Sequence, residues 1–148
     1  MGAVALSLVT TFGGCGGGSD DAGPSGTAVT PDVFRISLTG FRPENYRVGW
    51  SGDRLVYLRL GHQGGTKEVL TPGRAAWERF WSTVDRLGVW NWKRRYRGPG
   101  DVIDGLAWSV GLRYRDKEVN SRGYIQKPPR FDEFTRAVSR LVGNRPIT

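Results

Sequence analysis

The sequence predicts an α+β fold, a mainly antiparallel sheet of about five to six strands with two helices packed on one face. Three observations predict it. Apolar and polar residues alternate in several short runs bounded by turn residues. Two later segments carry apolar residues at helical spacing. The connections between the strand-like runs are short, which suits hairpins rather than crossover helices.

The elements follow in order. Phe34, Ile36 and Leu38 alternate with Arg35, Ser37 and Thr39, the period of a half-buried strand that starts near Val33. Tyr46, Val48 and Trp50 alternate next, and Ser51-Gly52-Asp53 turns the chain into a second arm, so residues 45–60 read as a hairpin. Residues 61–65, with three glycines, read as a loop, and 66–70 as a short fourth strand. Thr71 as N-cap and Pro72 at the first helical position open a helix. Its stripe is Ala76, Trp77, Phe80, Trp81, Val84 and Leu87, and Gly88 stands at the left-handed C-cap position. Leu106, Trp108, Val110, Leu112 and Tyr114 mark a long strand that Asp116-Lys117 turns back into residues 118–124. A second helix follows Pro128-Pro129, with Phe131, Phe134, Val138, Leu141 and Val142 on one side. Asp132 and Glu133 in its first turn and Arg140 in its last match the helix macrodipole. The expected core includes Trp77, Phe80, Val84, Trp108, Val110, Phe134, Val138 and Leu141.

The chain has 148 residues, the size of one domain. Residues 1–11 carry no charged side chain and are mostly apolar. The run is too short to span a membrane, which takes about 20 apolar residues, and has the length of the apolar part of a secretory signal. Phe12-Gly13-Gly14-Cys15-Gly16 comes next, then a stretch rich in Gly, Ser, Asp and Pro. The arrangement resembles a bacterial lipoprotein signal, with Phe12 where that class has Leu and no Lys or Arg ahead of the apolar run. The resemblance implies a signal peptide over residues 1–14, cut before a Cys15 that carries diacylglycerol. Residues 15–30 are then the lipidated Cys and a flexible tether, and residues 31–148 a single α+β domain. Gly16 rather than Asp after Cys15 implies the outer membrane in a bacterium with two membranes.

Lys plus Arg number 22 against 14 Asp plus Glu, for a net charge of +8, and all but four of the basic residues are Arg. Guanidinium forks favour carboxylate and phosphate partners. The basic residues run from Arg35 to Arg145 without one long cluster, the pattern of a solvated surface. The densest segment is 90–97, where Trp90, Trp92, Lys93, Arg94, Arg95 and Arg97 form a candidate contact for anionic lipid headgroups or an acidic envelope partner. If it is extended, Trp90, Trp92, Arg94 and Tyr96 share one side. The competing reading is that its aromatics complete the core while its charges are solvated.

Catalytic residues are scarce. One Cys and one His exclude an internal disulfide and Cys-based or His-pair metal sites, and no cofactor is implied. Asp101 and Asp104 form an Asp-x-x-Asp that a small envelope hydrolase would use as an acid/base pair. Both stand in a Gly/Pro-rich segment, and Asp104-Gly105 is a common turn dipeptide. His62 lies among Gly61, Gln63, Gly64 and Gly65, as loop surface does. Six Trp are many for this length; Trp77 and Trp81 lie on the helical stripe and Trp108 on the bulky face of a strand, so core packing rather than a ligand cleft accounts for them.

The body also resembles small secreted bacterial proteins of unknown function. The residues involved are Trp77 to Trp81, Val89-Trp90-Asn91-Trp92 with Tyr96, and Asp104-Gly105-Leu106-Ala107-Trp108, within residues 70–142. That resemblance implies an α+β fold and no known activity. The reading is a lipid-anchored protein of the bacterial cell envelope with a non-catalytic binding or structural domain, held to the membrane through Cys15 and not binding nucleic acid. Its rivals are the Asp101/Asp104 hydrolase and an inhibitor of, or adaptor for, an acidic envelope protein.

Overall fold

Alternation decides which side of each strand is buried, and in the five inner strands that side is the same one. The computed structural model describes residues 28–40, 43–98 and 105–147. Seven strands form one sheet: β1 (Val33–Thr39), β2 (Glu44–Ser51), β3 (Arg54–Gly61), β4 (Gly64–Leu70), β5 (Arg95–Arg97), β6 (Ala107–Tyr114) and β7 (Lys117–Tyr124). Their spatial order is β4-β3-β2-β1-β6-β7-β5. Every neighbouring pair is antiparallel except β5 with β7. The α+β class therefore holds, while the count of five to six strands is corrected to seven in a mixed sheet. The strand that escapes the sequence is β5, three residues long and paired with a strand far along the chain.

Helices α1 (Arg74–Leu87) and α2 (Phe131–Leu141) cover one face. The Trp77 and Phe80 rings of α1 lie 5.6 and 5.4 Å from Phe34, and Phe131 of α2 lies 4.9 Å from Trp108. All eight residues expected in the core are buried there, with Phe34, Ile36, Leu38, Val48, Leu55 and Leu112 from the sheet. The crossing of Trp108 over β7 requires a glycine, because a Cβ on Gly123 would stand 2.6 Å from the indole.

Local boundaries differ from expectation in four places. The presumed loop at 61–65 is a tight turn at His62 and Gln63, with Gly61 and Gly64 already paired. The cap of α1 is Gly73 rather than Thr71: its carbonyl accepts from the Ala76 and Trp77 amides, and no side chain caps the helix. The turn between β6 and β7 falls on Arg115 and Asp116, with Arg115 at φ 56°, so β7 begins one residue early. The segment after Gly88 is not uniformly extended, since Val89–Asn91 is a 3-10 turn.

Candidate functional site

The strand positions that do not point into the core lie together on the opposite face, and among the described residues nothing covers it. None of these residues is buried. Register aligns them in rows perpendicular to the strands. One row reads Lys67, Leu58, Arg47, Ser37, Ser109, Arg122, Arg95 from β4 to β5. Beside it run Gly49, Arg35, Gly111 and Asn120 on one flank, and Asn45, Thr39, Ala107, Tyr124 and Arg97 on the other.

The centre of this face is sunken, because its side chains are short. Two shallow depressions of about 510 and 400 Å³ share Ser37 and Ser109 and so form one trough. Arg95, Arg97 and Arg122 border it towards β5, and Arg35 and Arg47 towards β2.

Cations outnumber acids on this face, while on the helices Arg79, Arg86, Arg136 and Arg140 are likewise exposed without a described carboxylate partner. Arg35, Arg47, Lys67, Arg95, Arg97 and Arg122 are all exposed, and none pairs with a described carboxylate. Among the described strand residues of the face, Glu118 is the one carboxylate, and Arg113 holds it at 3.1 Å. On the helix side the acids are shared with cations: Glu78 with Arg74, Glu133 with Arg130, Asp132 with Lys127 and Glu68 with Arg145. Hydrogen bonds from Arg130 and Arg145 hold the Glu133 and Glu68 carboxyls below their usual range. Burial pushes Asp85 up, but hydrogen bonds from Lys117 and Trp90 outweigh it and leave that carboxyl below its ordinary value.

The segment singled out in the sequence divides between the two faces. Trp92 is buried with its ring 5.2 Å from Phe134, and Tyr96 is buried beside Trp108. Trp90 is half-buried, stacked 6.0 Å from Trp81, and donates to Asp85 at 2.6 Å. Lys93 and Arg94 are exposed in the connection to β5, while Arg95 and Arg97 stand on the open face. The structure thus brings two of the six candidates to the trough and joins to them Arg35, Arg47 and Arg122, with Lys67 farther along the same row on β4; in the sequence these four are dispersed. Their signal was the polar half of each alternating strand, as in Arg35 between Phe34 and Ile36. Strand order was needed to assemble it.

Cys15, Asp101 and Asp104 lie outside the described residues. Among the described residues no group of three or more His, Cys, Asp or Glu is placed to hold a metal ion, and no helix is long and apolar enough to cross a membrane. Cationic forks beside hydroxyls equip the trough to bind anions. Comparison with known protein families, with curated proteins and with solved structures finds no match to this chain.

Proposed function

We propose that this chain is a lipid-anchored protein of the bacterial cell envelope, of the outer membrane where there are two, whose domain binds an anionic ligand without catalysis through its uncovered sheet face. The observation that carries this reading is the excess of cations on one uncovered face: six exposed ones stand there without described carboxylate partners, and Glu118, already held by Arg113, is the one carboxylate among its described strand residues. Near an anionic surface each Lys or Arg contributes about 1 kcal/mol before ordering costs, so the face alone binds weakly. An anchor at Cys15 supports the same role, because it holds the domain at high effective concentration beside envelope material. Two or three acyl chains, at about 0.8 kcal/mol per buried CH₂, make such attachment stable.

The test uses the full chain in a lipoprotein-processing bacterium and on a polyanion column. Labelled palmitate should enter the wild type and not Cys15→Ser, which should leave the membrane fraction. Arg47→Glu/Arg122→Glu should elute at clearly lower salt than Arg79→Glu/Arg136→Glu, which makes the same charge change on the helices. Equal elution of the two double variants removes the face from the reading, and unchanged fractionation of Cys15→Ser removes the anchor.

A further inference from the structure

Resting on the binding role proposed above, we infer that the occupant of this face is a linear anionic polysaccharide that lies across the strands. The row from Lys67 through Arg47 and Arg122 to Arg95 crosses all seven strands. At the usual spacing of strands it extends over about 29 Å, with Arg47 and Arg122 about 14 Å apart and Arg122 and Arg95 about 5 Å apart. No single small ion meets cations so distributed, whereas a chain with repeating charges meets them in succession. Between Arg47 and Arg122 the floor is Ser37 and Ser109, flanked by Gly49, Gly111 and Ala107. That floor admits a thin chain and offers hydroxyls to a hydroxylated one. Arg forks take the carboxylates or phosphates in bidentate fashion.

Other polyanions fit less well. Binding of single-stranded nucleic acid depends on rings on which bases stack, yet the six Trp lie on the helix side, and among the described residues Tyr124 near one end is the ring this face presents. A bilayer surface is met by a convex or flat face with aromatic or aliphatic side chains at headgroup level. Here the centre is a trough in which the apolar residues Val56 and Leu58 are half-buried, and the exposed ones, Val69 and Leu60, stand towards the β4 edge.

The experiment is a binding titration of the full chain carrying Cys15→Ser, so that no lipid anchor contributes, with oligogalacturonates from the monomer to the polymer, compared at equal carboxylate concentration. Single-stranded oligonucleotide and phosphatidylglycerol vesicles are titrated at matched charge. Affinity per carboxylate should rise at least about tenfold once the oligomer is long enough to reach from Arg47 to Arg95, because each added contact becomes intramolecular. Arg47→Gln/Arg122→Gln should abolish that rise, and Arg79→Gln/Arg136→Gln should leave it intact. Equal affinity per carboxylate at every length, or tighter binding of oligonucleotide or vesicles than of polymer, overturns the polysaccharide while leaving an anion-binding face. Absence of binding to every polyanion overturns both.

Discussion

Trp108 shows how little freedom a single side chain has here. Its ring is closed in by Phe131 at 4.9 Å, Tyr96 at 5.7 Å and Trp92 at 6.2 Å, and its indole N–H donates to the Gln126 carbonyl at 2.9 Å. Trp108→Ala, like Phe80→Ala, should destabilise by about 3–5 kcal/mol, read from the denaturant midpoint at unchanged slope. Gly123→Ala is the complementary test: the ring cannot retreat from a Cβ at 2.6 Å, so overpacking should cost about 1–3 kcal/mol. Asp85 supplies a pH-dependent case. Its folded carboxyl sits below the ordinary value, so the stabilisation it brings is present at neutral pH and lost as pH falls below the usual carboxylate range. Asp85→Asn should therefore lower the melting temperature near neutrality and flatten its fall in acid. The buried partners of Trp108 and Phe80 were legible as periodicity. The bond from Trp90 to Asp85 was not, because it depends on the 3-10 turn that follows Gly88.

Among the elements, β4 forms a sheet edge, and Val69, half exposed at 51%, and Leu60 at 38% lie near it on the open face. Lys67 interrupts this apolar strip at the position opposite Leu58. An edge charge of this kind opposes pairing with a second molecule. Lys67→Val should raise concentration-dependent association, seen by light scattering, while thermal stability changes by less than about 0.5 kcal/mol. Both helices and six of the seven strands were readable, most from several residues of one period, β4 and β7 from the turns that bound them. β5 has only three residues, and its single buried position, Tyr96, gives no period at all. Its parallel pairing with β7 depends on two anchors: the Arg122 amide donates to the Arg94 carbonyl at 3.1 Å, and Ser121 Oγ donates to the Lys93 carbonyl at 2.6 Å. Neither can be seen from the segment itself.

For the whole molecule, the net charge of +8 gains meaning from where the fold puts it. Spread along the chain, the arginines read as general solvation, and segments 72 residues apart had to pair, as Ser37 does with Ser109, before they met on one face. Like charges about 5 Å apart in adjacent strands repel, and salt screens them over a Debye length of about 10 Å at 0.1 M. Exposed ion pairs contribute little to set against this, so added sodium chloride should raise the melting temperature of the free protein. Arg122→Gln should raise it at low salt and reduce the response.

The position of β1 has a mechanical consequence. The chain reaches β1 by way of Val29, whose carbonyl accepts from Trp81 Nε1 at 2.7 Å, and the Asp32 amide then bonds the Arg113 carbonyl. β1 is the middle strand, registered to β2 over four residue pairs and to β6 over seven. Tension entering through the residues before Val29 thus pulls on a strand clamped from both sides, and two ladders must slide together in shear before it leaves. Tension applied through β4 would instead peel one ladder, bond after bond. With the open face held and tension applied from the N-terminal side, the load on β1 would fall on both of its ladders at once.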